Sequence, residues 1–157
     1  VTPVGFIDEA IWLALEKGVT ICTFGDLVRV PGTKMSLAGA REKGAKIRIV
    51  YSPADAEKYA SEHPKEQVVF LSVGFETTTP AECLSVKKAK KDGLMNYSLL
   101  MANKTMPQAY EALKGSADIF LYPGHVNAIT GTELCEKLTE EDAIFDRIFQ
   151  SLNLFDF

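Results

Sequence analysis

Short apolar runs, β-branched at 67–73, recur along this chain, and each is followed by a stretch of helical spacing. Residues 19–24, 46–51, 67–73, 97–101 and 118–121 read as strands. Between and around them, 6–15, 35–43, a segment opened by Ser52-Pro53 and closed near Pro64, a segment from Thr79 to Gly93, and 107–113 read as helices, with a short helical stretch after residue 125. A chain that alternates in this way needs long crossovers between strands. It is therefore restricted to a mostly parallel sheet with helices on both faces.

The expected fold class is α/β and Rossmann-like, with right-handed crossovers. All five strands can share one sheet. Alternatively, the charged, proline-containing stretch 57–66 is a hinge between two lobes around a cleft. That division gives a first, partial lobe at 1–56, a linker at 57–66, a second lobe at 67–141 and a helical tail at 142–157. In the tail, Ile144, Phe145, Ile148, Phe149 and Leu152 fall on one helical face.

Composition narrows the function classes. The chain has 157 residues, is 46% hydrophobic and 24% charged, and carries a net charge of −4. That balance points away from nucleic acid, which requires a basic footprint. The run Lys87 to Lys91 reads as a solvated helix face. No apolar run approaches the roughly 20 residues of a membrane span. The three cysteines, Cys22, Cys83 and Cys135, are far apart and never in CxxC spacing, which fits a reducing, cytoplasmic setting. Cys22 reads as a buried small hydrophobe, and the other two have no neighbouring base in sequence. No site for a resident metal is expected from these cysteines and the two histidines.

The polar residues of interest fall just beyond the carboxyl ends of the expected strands, where ligands bind in open α/β sheets. Asp26, Arg29 and Pro31 follow the first strand, Glu76, Thr77 and Thr78 the third, Asn103 and Lys104 the fourth, and Gly124 and His125 the fifth. In GFETTTP (74–80), Thr79 reads as an N-cap and Pro80 as the first helical residue. Glu76 is a general base, a metal ligand, or an acid satisfying amides at a helix start. Thr77 and Thr78 either face an anion at the helix N-terminus or cap their own helix. Asp26 and Arg29 either pair with each other or present charge outward. His125, on a Pro-Gly turn, can titrate near neutral pH; His63 reads as surface. No catalytic triad, Walker loop or GxGxxG fingerprint is present. A small-molecule or phosphate-binding enzyme domain is one reading of such a polar edge.

TFGDLVRVPG (23–32), GFETTTP (74–80) and PGHV (123–126) occur in an order and spacing similar to those of the HypD family of hydrogenase maturation proteins. The stretch 36–56 fits the same family, and the similarity runs over about 1–138. The resemblance implies an assembly scaffold more than an enzyme. It implies work with HypC-like and HypE-like partners on the iron-dicyano-carbonyl unit of nickel-iron hydrogenases, in two α/β lobes around a cleft. The cleft motifs match Asp26, Arg29, Glu76, Thr77, Thr78 and His125. The full-length family implies iron and a four-iron four-sulfur cluster. The family's redox cysteines lie in a segment that runs directly into Val-Thr-Pro, where this chain begins, and its cluster cysteines are not matched here. The expectation is thus a fragment that supplies cleft walls and partner surface without a cofactor of its own.

Overall fold

The computed structural model describes residues 2–113, 116, 124–133 and 136–137. The expected fifth strand, Cys135 and the helical tail lie outside the described residues. Four strands form one sheet: β1 (Thr20–Thr23), β2 (Ile47–Ile49), β3 (Val68–Ser72) and β4 (Tyr97–Met101). Their spatial order is β2-β1-β3-β4, and every pairing is parallel. The register sets Ile21 opposite Ile47 and Val69, and Phe70 opposite Leu99. The central strands β1 and β3 are the most buried ones. β1 is buried throughout, whereas β2 and β4 are partly exposed, as expected for a parallel sheet covered on both faces.

The alternation of side chains along a strand divides the core in two. Ile21 and Leu71 belong to one apolar cluster with Phe6, Ile7, Ala10 and Ala14 of α1 (Val4–Glu16) and Leu37 and Ala40 of α2 (Leu37–Glu42). Their neighbours Cys22, Val68 and Phe70 belong to a second cluster with Ala56 and Ala60 of α3 (Pro53–Glu62). Phe24 meets Phe70 edge-on, with centroids 5.3 Å apart. Helices therefore cover both faces, and the fold is α/β and Rossmann-like.

Local chemistry accounts for the helix ends. Ser36 and Ser52 accept from the amides of Gly39 and Asp55 at the starts of α2 and α3. Gly44, at φ +94, follows α2 where a left-handed residue is favoured. In α4 (Thr79–Lys91), however, Thr79 is the first helical residue and Thr78 occupies the cap position, with no side-chain cap bond. Pro80 fits one place later than expected because the first amides of a helix have no intrahelical acceptor to lose.

Residues 57–66 do not act as a hinge between separate sheets. Residues 57–62 complete α3, and the strands on either side of 57–66 join the same sheet. The turn that follows is held by buried Asn96, whose Nδ2 reaches the carbonyls of Ala60 (2.9 Å), His63 (3.1 Å) and Glu66 (2.9 Å). Charge and a proline suggested a linker, but one buried amide fixes the segment.

The compact units lie elsewhere. One comprises Val1–Gly74 and Thr78–Asn103 and contains the whole sheet. The other comprises Phe75–Thr77 and Lys104–Phe157, and its described helices are α5 (Met106–Leu113) and α6 (Gly124–Thr130).

Candidate functional site

Because all four strands run the same way, the segments that follow them leave from one edge of the sheet. After β1 the chain makes one 3-10 turn, Gly25–Arg29. Leu27 and Val28 are buried, while Asp26 and Arg29 remain exposed. Asp26 Oδ1 accepts from Leu27 N at 3.0 Å. Among the described residues no ion pair joins Asp26 to Arg29. Both line a groove of ≈ 480 Å³ together with Arg41, Glu42, Val28 and Ile49. The groove thus presents charges of both signs beside apolar side chains.

The rest of this loop is pinned to α1. Pro31 is exposed and bridges Ser36 in antiparallel fashion. Asp8 accepts from Thr33 N at 2.8 Å and from Thr33 Oγ1 at 2.5 Å. The Thr33 hydroxyl, then its amide, hold the Asp8 carboxyl below its ordinary range. Gly32 passes so near that a Cβ there would lie 2.5 Å from Asp8 Oδ1 and 2.8 Å from the Met35 carbonyl. Nothing in the sequence singled out Asp8, whose partner is 25 residues away.

After β3 the chain reaches Gly74, at φ +141. A Cβ there would meet Thr78 Oγ1 at 2.6 Å, so glycine is required on two counts. Phe75–Thr77 then belong to the second unit. Glu76 Oε1 accepts from Met106 N, the first residue of α5, at 2.9 Å. The acid therefore does sit at a helix start, that of α5 and not of α4. Its Oε2 is buried and has no hydrogen-bond partner among the described residues. Thr77 is exposed, and Thr78 receives Ala81 N on its carbonyl oxygen (3.2 Å).

A third group was only partly visible in the sequence. Ser72 Oγ, at the end of β3, donates to Asn103 Oδ1 at 2.6 Å. Asn103 Nδ2 donates to Glu82 Oε2 (2.7 Å) and Thr79 Oγ1 (3.2 Å). Glu82 is 1% exposed. Asn103 stood out as a polar residue after a strand; Ser72 and Glu82 did not, because one reads as strand and the other as helix surface. In the second unit, Gly124 opens α6 and His125 is exposed in its first turn. His63 is half-buried, with Nδ1 2.9 Å from the Tyr59 carbonyl and its ring stacked on Tyr59.

The cysteines do not fit an iron–sulfur cluster. Such a cluster takes four thiolates, and the chain has three cysteines. Cys22 is fully buried in β1, and burial pushes its thiol up to about 11, away from the ligating thiolate. Cys83 is exposed on α4. Among the described residues no three His, Cys, Asp or Glu side chains gather as a metal-binding group. None of the described helices is long and apolar enough to cross a membrane.

The family model for HypD, described as the hydrogenase formation hypA family, matches residues 1–145. The chain belongs to the HypD family. It is 41% identical over 145 residues to the hydrogenase maturation factor HypD of Rhodobacter capsulatus, covering 90% of this chain and 38% of that protein. Against the factor of the same name in Cupriavidus necator it is 41% identical over 152 residues, covering 90% and 40%. For that of Escherichia coli K12 the identity is 41% over 137 residues, covering 85% and 37%. The chain thus spans about two fifths of the length of these HypD relatives. The segments with Asp26 and Arg29, Glu76 to Thr78, and Gly124 and His125 all lie within the family match.

Proposed function

We propose that this chain takes part in hydrogenase maturation as a docking and wall-forming part of an assembly scaffold, with the iron-dicyano-carbonyl unit as cargo. The observation that carries this reading is the groove at the carboxyl edge of β1. There Asp26 and Arg29, from a segment within the family match, stay exposed and unpaired with each other. Exposed charges of both signs around apolar side chains suit a polar protein partner, whose complementary charges set register and speed encounter. A HypC-like protein is the proposed occupant, with a HypE-like protein as cyanide donor to the assembly. Thr77, Thr78 and His125 are the hydrogen-bond donors to the cyanide and carbonyl ligands, and Glu76 and His125 the groups that exchange protons around them. Thiolates that hold the iron come from outside this chain.

Calorimetric titration of the chain with a HypC-like protein tests the docking. Saturable binding is expected, weakened about tenfold by Asp26→Ala or Arg29→Ala and by added salt, with Tm unchanged. No saturable binding, or binding indifferent to both substitutions, overturns it. By the same reading, the chain alone binds no stoichiometric iron and does not restore hydrogenase maturation. Either result in the opposite sense refutes the division of labour.

A further inference from the structure

We propose that Glu82 is a positioning residue, which acts through Asn103 to fix the points where the chain leaves and re-enters the sheet unit. Its functional meaning rests on the scaffold reading above. Glu82 lies in the first turn of α4, is 1% exposed, and leaves Oε1 buried without a hydrogen-bond partner among the described residues. A carboxylate in such a place is a costly way to fill space, because its removal from water is unfavourable unless it is well paired. An apolar side chain of similar volume would pack at lower cost. What a carboxylate adds is direction.

A carboxylate only accepts hydrogen bonds. It therefore obliges Asn103 to turn its Nδ2 toward Glu82 Oε2, at 2.7 Å. Oδ1 must then face the other way, where Ser72 Oγ donates at 2.6 Å. Nδ2 also reaches Thr79 Oγ1 at 3.2 Å. One buried acid thus sets the amide orientation that links the ends of β3 and β4 to the start of α4. The sites are the junctions themselves. Ser72 lies two residues before Gly74, Thr79 directly follows Thr78, and Asn103 is the last residue before the second unit. The loop carrying Glu76, Thr77 and Thr78 is suspended between points that this network fixes.

Amide hydrogen exchange on the whole chain tests the proposal without any partner protein. Glu82→Met removes the buried carboxyl group and roughly keeps the volume. Tm is expected to hold or rise, while amides of 74–79 and 103–106 exchange about tenfold faster and those of β1 and β2 keep their protection. Asn103→Asp sets two carboxyl groups face to face and is expected to loosen the same junctions more strongly. Adding Glu82→Gln to Asn103→Asp restores a donor opposite an acceptor with reversed polarity, and should recover junction protection. Unchanged junction exchange in Glu82→Met overturns the proposal. So does loosening spread evenly over the sheet, or a double variant no better than Asn103→Asp. Should Asn103→Asp fail to fold, Glu82→Met alone decides. Partner titration of Glu82→Met is a separate arm. If the native chain binds no HypC-like protein, the scaffold reading fails while the exchange result still judges Glu82.

Discussion

Among the described glycines, Gly74 alone joins a positive φ to a space too crowded for a Cβ. At φ +141 it occupies a region that side chains rarely adopt, and an added Cβ would press on Thr78 Oγ1 and Cβ at 2.6 and 2.7 Å. Gly74→Ala is expected to lower stability by about 1–3 kcal/mol, read from urea unfolding. Asp8 gives a residue-level pH prediction. Its folded carboxyl titrates below the ordinary 3.8 because Thr33 donates to it twice. The stability it adds is present above that ordinary value and drains away as pH falls through the depressed one. Asp8→Asn should flatten the acid limb of a urea-midpoint profile between about pH 4 and 2; an unchanged limb would count against the Asp8–Thr33 contact. At this scale the sequence is readable only in part. Asp26 and Arg29 stood out because they directly follow a strand. Asp8, Ser72 and Glu82 did not, because their partners lie 25, 31 and 21 residues away, and only the folded chain shows which polar side chains are buried together.

Strands and helices were legible because each carries a local signature. β-branched residues marked β1 to β3 and a short apolar run marked β4, while Ser52 ahead of Pro53 marked the start of α3. The exposed face of α4 was less simple than its lysines suggested. Lys88 Nζ lies 2.7 Å from both carboxylate oxygens of Glu57, which is 2% exposed in α3. The run Lys87 to Lys91 is therefore not only a solvated stripe, since one member neutralises a buried acid on the next helix. Lys88→Met should strand that acid and lower the urea midpoint, whereas Glu57→Leu combined with Lys88→Met should recover most of the loss. Equal losses in the single and double variants would contradict the pairing. The hydrogen bond to Glu57, and then that to Asp92, raise the Lys88 ammonium above its ordinary 10.5. Its contribution is full below that value and disappears as pH climbs through the raised one, so the Lys88→Met and native midpoints should converge in strong alkali.

The whole molecule divides where the sequence offered no obvious mark. The charged stretch with Pro64 looked like a boundary, yet Asn96 ties it into the sheet unit. The actual boundary follows β3 and β4, where the chain passes through Gly74, Thr78 and Asn103. Both apolar clusters lie wholly within the sheet unit, as do Ser72, Thr79, Glu82 and Asn103. A chain cut after residue 105 therefore keeps all four described strands, both apolar clusters and the junction network. It loses Met106, the amide partner of Glu76. Roughly a hundred residues suffice for an independently folded domain. The shortened chain is expected to unfold in one cooperative urea transition, with native-like exchange protection in β1 and β3 and fast exchange across 75–77. A broad, low-m transition would show that the sheet unit needs the remainder of the chain. Retained protection at 75–77 would show that Glu76 and α5 do not hold that loop. If both expectations are met, the stability of the sheet and the ordering of the GFETTTP loop come from different parts of the molecule.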